Sequence, residues 1–121
     1  MQGGKKRVLV VDDDPDILEF LQAMLEDAGY EVAITEKGDS LEQIEKHTLP
    51  DVIILDMLIS GKDGREIASY LKSQEHTRAI PIIMISAHPS AERAARVCGA
   101  DDFLAKPFDM DDLLAKVASH M

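Results

Sequence analysis

The ten residues VLVVDDDPDI, Val8 to Ile17, decide the fold. Four apolar residues run straight into Asp12, Asp13 and Asp14, and Pro15 and Asp16 follow. The apolar half reads as a short strand buried on both faces. The polar half reads as a turn and the first turn of a helix, with Asp14 and Asp16 as cap and dipole residues around Pro15. A buried strand that ends in three adjacent like charges needs something to balance them.

Two further runs share the character of the first: DVIILD at 51–56 and IPIIMIS at 80–86. All three suit inner strands of a parallel sheet covered by helices on both sides. EVAIT at 31–35 and DFLAK at 102–106 are more polar, as edge strands would be. Between the strands lie helical patterns. Ile17, Leu18, Leu21, Met24, Leu25 and Ala28 trace one face, with Gly29 as the stop. Leu113, Leu114 and Val117 do the same after Asp109, a candidate cap. Shorter helices fit around 38–47, 64–73 and 90–98. The last has an apolar side made mostly of Ala91, Ala94, Ala95 and Cys98, so it buries little area and should be loosely held. The result is an α/β chain, (βα)5, with a doubly wound five-stranded parallel sheet. With the first, third and fourth strands central, the order 2-1-3-4-5 follows. A site in such a sheet lies beyond the carboxyl ends of the strands, where the winding reverses.

At 121 residues the chain would bury roughly two-thirds of the surface it exposes unfolded, so a single domain over 1–121 is expected. No apolar run approaches the length of a membrane span. The polar opening MQGGKKR is unlike a signal peptide. A single cysteine, Cys98, cannot form an internal disulfide, which fits a reducing, cytoplasmic setting. The net charge of −10 argues against direct binding of nucleic acid and favours cations or basic partners.

The carboxyl ends of the strands carry the chemistry. The first delivers Asp12 and Asp13, the third Asp56, the fourth Ser86, and the fifth Lys106 followed by Pro107. Each alone has a bland reading, since an acidic cluster after a strand is more often a solvated turn and cap than a metal site. Together at four strand ends they point to three converging carboxylates, relieved by Lys106 and a divalent cation. Hard oxygen ligands favour Mg²⁺, or Mn²⁺, over zinc. Other acidic motifs fail. Asp12, Asp14 and Asp16 have the spacing that opens an EF-hand loop, but Ile17 holds the glycine position and Ala23 the glutamate position. A haloacid-dehalogenase phosphatase would need threonine or valine where Asp16 stands. No phosphate-cradling glycine loop follows any strand, and the four histidines have no ligand spacing with one another.

The stretches VLVVDDDPDI, LPDVIILDMLISGKDG, IPIIMISAH and GADDFLAKPF resemble the response-regulator receiver domains of two-component signalling, over residues 7 to 119. The resemblance implies a flavodoxin-like fold of order 2-1-3-4-5, with Asp56 as phosphoryl acceptor. It implies that Asp13 ligates Mg²⁺ directly, Asp12 through water, and Leu58 through its backbone carbonyl. Ser86 would bond one phosphoryl oxygen and Lys106 would pair with another, while Phe103 takes the switch-aromatic position. A cis bond is expected at Lys106–Pro107. Ser60 stands where the family motif MPGMDG has proline, which puts the rigidity of that loop in doubt. Leu58 and His88 occupy the two positions that overlook the path of a hydrolytic water. The implied partners are a sensor histidine kinase or histidine phosphotransfer protein, and a downstream protein docking on the 90–120 region. The chain would be a monomer or weak dimer without enzymatic turnover of its own, beyond self-catalysed phosphotransfer and slow autodephosphorylation. The competing classes are a Mg²⁺-dependent phosphatase and a degenerate receiver that binds protein independently of phosphorylation.

Overall fold

The computed structural model describes residues 6–36, 49–59, 62–88 and 91–120. Five parallel strands form one sheet: β1 (Arg7–Val11), β2 (Glu31–Thr35), β3 (Val52–Asp56), β4 (Ile82–Ser86) and β5 (Asp102–Ala105). Their order is β2-β1-β3-β4-β5, as expected. Four helices are described: α1 (Pro15–Asp27), α2 (Gly64–Ser73), α3 (Ala91–Val97) and α4 (Met110–Ser119). The helix expected around 38–47 lies outside the described residues, as does Ser60.

Burial follows the patterning. Every residue of β3 and β4 is buried, whereas the edge strand β2 has no buried residue. Alternate side chains of the inner strands feed two separate cores. Val8, Val10, Ile54, Ile83 and Ile85 pack with Leu18, Leu21 and Leu25 of α1 and with Leu113 and Val117 of α4. Val11, Ile53, Leu55, Ile82 and Met84 pack with Ile67, Ala68 and Leu71 of α2 and with Ala91 and Ala95 of α3. Strands buried on both faces must be apolar throughout, which is why these runs do not alternate.

Two local expectations are corrected. Ala28 is exposed and is not part of the buried face of α1; it forms the C-cap, and Gly29 follows at φ +102°. Asp109 sits at the N-cap of α4 but makes no side-chain cap bond; its carbonyl accepts from the amides of Asp112 and Leu113. Asp14 does cap α1, accepting from the Asp16 amide at 2.9 Å.

Between β3 and α2 the chain turns back as a small antiparallel ribbon. Leu58 pairs with Asp63 and Ile59 with Lys62, and the Gly64 amide closes it on the Met57 carbonyl at 2.7 Å. Asp63 then caps α2 through the Arg65 amide.

Candidate metal centre

The opening aspartates divide by the turn that follows β1. The Asp12 amide still belongs to the sheet edge, donating to Thr35 at 3.2 Å, so its side chain is carried into the interior with no exposure. Its Oδ1 accepts the Asp14 amide at 3.0 Å, which turns the chain into the helix. Asp13 is exposed, and Asp14 turns away to cap α1. Asp56, the last residue of β3, is buried. One carboxylate oxygen from each of Asp12, Asp13 and Asp56 lies within 4.8 Å of the others. At such separations in a part-buried site, like charges repel by several kcal/mol at an effective dielectric of about 20.

Lys106 answers part of that repulsion. Its Nζ lies 3.1 Å from Asp12 Oδ2 and 3.6 Å from Asp56 Oδ2, although 94 residues separate it from Asp12. The Lys106 amide donates to the Ser86 carbonyl, which extends the β4–β5 ladder and holds the lysine at the strand ends. The Lys106–Pro107 peptide is cis, as the resemblance implies. One formal positive charge set against three negative ones leaves an excess that a divalent cation would cancel.

The donor set fits Mg²⁺. All three groups offer hard oxygens, and a spread of 4.8 Å compares with about 4 Å across an octahedral Mg²⁺ shell. Ser86 is buried at the end of β4, and its Oγ accepts the His88 amide at 3.1 Å. That bond uses a lone pair and leaves the hydroxyl proton free to donate. Phe103 lies on β5, half-buried among the side chains packed against the α2–α3 core. The structure thus brings Asp12, Asp13, Asp56, Ser86 and Lys106 to one edge of the sheet and sets Phe103 back from it. The backbone of Leu58 enters the ribbon two residues after Asp56.

Reading the sequence missed two features. Gly64 lies directly against the backbone after Asp56; the family motif MPGMDG ends in glycine at this position, but the sequence itself gives no physical reason for it. His120 also found no role, yet with Lys116 it holds Asp102 at the opposite end of the sheet. The two nitrogens lie 3.1 Å and 2.9 Å from the carboxylate. A sequence has no signal for that triad beyond three polar residues near a helix.

A doubly wound parallel sheet with clustered carboxylates and a lysine at its carboxyl edge places the chain among α/β domains with an acidic site at the strand ends. The chain belongs to the response regulator receiver domain family, which it matches over residues 8–118. It is 35% identical over 113 residues to the DNA-binding dual master transcriptional regulator RpaA of Synechocystis, covering 92% of this chain and 47% of that protein. The chain spans about half the length of the curated relatives it matches. Among solved structures, a response regulator from Chloroflexus aurantiacus superimposes with a TM-score of 0.91 at 34% identity, covering 97% and 98% of the two chains. The response regulator TrrA of Thermotoga maritima, solved in complex with Mg²⁺-BeF, gives 0.85 at 30% identity, covering 96% and 99%. Among the described residues, no helix is long and apolar enough to cross a membrane.

Proposed function

We propose that residues 1–121 act as one phosphoacceptor unit, in which Asp56 takes a phosphoryl group from a histidine kinase or histidine phosphotransfer protein in a Mg²⁺-dependent reaction. The observation that carries this reading is the carboxylate trio within 4.8 Å, with Lys106 3.1 Å from Asp12 and 3.6 Å from Asp56. Asp13, Asp56 and the Leu58 carbonyl would hold the ion directly and Asp12 through water. The bound ion offsets the charge on the transferring phosphoryl oxygens. A carboxylate oxygen of Asp56 attacks phosphorus, the bond to the donor breaks, and the leaving group departs in line. Lys106 pairs with one phosphoryl oxygen. Ser86, its proton free to donate, bonds another, and Ala87 leaves room beside it. The pull on Ser86 passes to Phe103 and alters the surface of α3, β5 and α4, where a downstream protein docks. Phe103 has no hydroxyl, so packing alone sets its position.

Nothing turns over catalytically in this scheme beyond self-phosphorylation and slow self-hydrolysis, so the chain is a switch, not an enzyme, and it works in the cytoplasm. The Mg²⁺ held by TrrA supports the ion assignment. RpaA, described as a DNA-binding transcriptional regulator, is a precedent for coupling such a unit to DNA control. The test is incubation with acetyl phosphate and Mg²⁺ followed by intact mass measurement. Wild type should gain one phosphoryl group and Asp56→Asn none. Equal modification of the two proteins would remove the assignment.

A further inference from the structure

Gly64 opens α2, and its position has no conformational explanation, because its backbone lies in no region reserved for glycine. Space is the constraint. A Cβ placed there would run into the Asp56 carbonyl oxygen and would lie 2.8 Å from the Met57 carbonyl oxygen and 2.9 Å from Met57 Cα. All three are backbone atoms, so no side chain can swing aside to make room. The Gly64 amide meanwhile donates to the Met57 carbonyl at 2.7 Å, holding helix and strand end together at this approach.

We propose that Gly64 is a positioning residue for the acceptor: its bare Cα lets α2 seat against the Asp56–Met57 peptide and so fixes the Asp56 carboxylate and the ribbon that follows it. The inference rests on Asp56 being the phosphorylated residue. Consider which side would yield to a methyl group. Asp56 ends an inner strand in which every residue is buried, and Met57 is tied to β4 by its amide, 2.9 Å from the Ile85 carbonyl. A close-packed inner strand resists displacement. The start of α2 has less to hold it, since Arg65 and Glu66 are exposed and the Asp63 side chain bonds only to Arg65, its neighbour on the same helix start, among the described residues. The helix start would therefore move out, breaking the Gly64–Met57 bond and opening the ribbon that contains Leu58. That ribbon carries the Leu58 carbonyl, a proposed ion ligand, and a misplacement of about 1 Å in a group that positions the reaction can cost on the order of a hundredfold in rate.

Gly29 supplies the control. Alanine there meets nothing within 4 Å but must adopt φ +102°, so Gly29→Ala destabilises the fold at the end of α1, away from the carboxylates. Three readouts are taken on wild type, Gly64→Ala and Gly29→Ala at a temperature where circular dichroism shows full folding. They are amide-exchange protection at residue 64 without metal, Mg²⁺ affinity by calorimetry, and the phosphorylation rate with acetyl phosphate. Gly64→Ala should lower amide protection at residue 64, weaken Mg²⁺ and slow phosphorylation by about a hundredfold, with Gly29→Ala matching wild type in all three. If Gly64→Ala does not fold, the same readouts are taken in sucrose, which favours the compact state. Wild-type affinity and rate in Gly64→Ala, or equal losses in both variants, would overturn the proposal. A wild-type protein that gains no phosphoryl group would instead overturn the reading of Asp56 on which it rests.

Discussion

Asp12 is fully buried, and its nearest described cation is Lys106, so removing the lysine would leave an interior charge uncompensated. The two positions could be paired from sequence because both follow strands of one parallel sheet, and such strands deliver their ends to a common edge. The same logic found Asp13, Asp56 and Ser86. It could not find Gly64, whose reason for being glycine is a through-space approach between residues that no periodicity relates. Leu58 poses a separate residue-scale question, the lifetime of the modified state. Hydrolysis of an acyl phosphate needs a water in line with phosphorus, opposite the Asp56 oxygen. Leucine has no atom with which to orient that water. Leu58→Asn should therefore quicken decay of the phosphorylated protein several-fold, followed by intact mass over time. Mg²⁺ affinity should change little, because the proposed ligand at this position is a backbone carbonyl. Equal decay rates in the two proteins would show that the position does not govern water access.

At the scale of elements, the inner strands were readable to within a residue or two because burial on both faces leaves them unbroken apolar runs. Helix caps were less readable. Asp14 and Asp109 look alike in sequence, yet only the first makes a side-chain cap bond. The helix α3 is the weakest of the four, with only Ala91 and Ala95 fully buried and Val97 left 82% exposed. Its far end is tied down by Asp101, which accepts both Lys72 Nζ at 2.7 Å and the Ile82 amide at 2.8 Å. A helix with little buried area, anchored at one end, is the element most easily shifted by events near Ser86. On phosphorylation, hydrogen exchange should change in 91–97 and 102–120; changes confined to α1 would contradict this output surface.

The C-terminal helix is held differently, and its hold depends on pH. Burial acts to raise the pKa of Asp102, but bonds from Lys116, the Phe103 amide and His120 outweigh it, and the carboxyl lies below its ordinary value. A carboxylate lowered on folding contributes stability above its unfolded pKa and loses it as pH falls through the folded value. Asp102→Asn should therefore cost about 1 kcal/mol at neutral pH, the scale of a part-exposed pair. The difference should shrink as pH falls below the ordinary carboxylate range and disappear once the lowered folded-state value is passed. Urea titrations across that range test it; a cost unchanged by pH would place the effect in packing, not charge.

Over the whole molecule, the net charge of −10 disfavours compactness through self-repulsion, and part of that charge is concentrated at one edge of the sheet. Any salt screens the diffuse part, so a general rise in stability with ionic strength says nothing about a site. Specific binding acts differently. An ion that binds only the folded state stabilises it by mass action, by about 2.7 kcal/mol at a hundred times its dissociation constant. For a domain of this length that corresponds to a rise of roughly 10 °C in Tm. Mg²⁺ should thus raise Tm well beyond NaCl of matched ionic strength. Asp13→Ala separates the two effects cleanly, because Asp13 is exposed and its loss removes a proposed ligand without opening a cavity. That variant should start at or above the wild-type Tm without metal, since one repulsive charge is gone. It should then show the NaCl response alone when Mg²⁺ is added. A full Mg²⁺ response in Asp13→Ala, or identical responses of wild type to the two salts, would mean that the clustered carboxylates bind no ion and that Lys106 and solvent alone balance their charge.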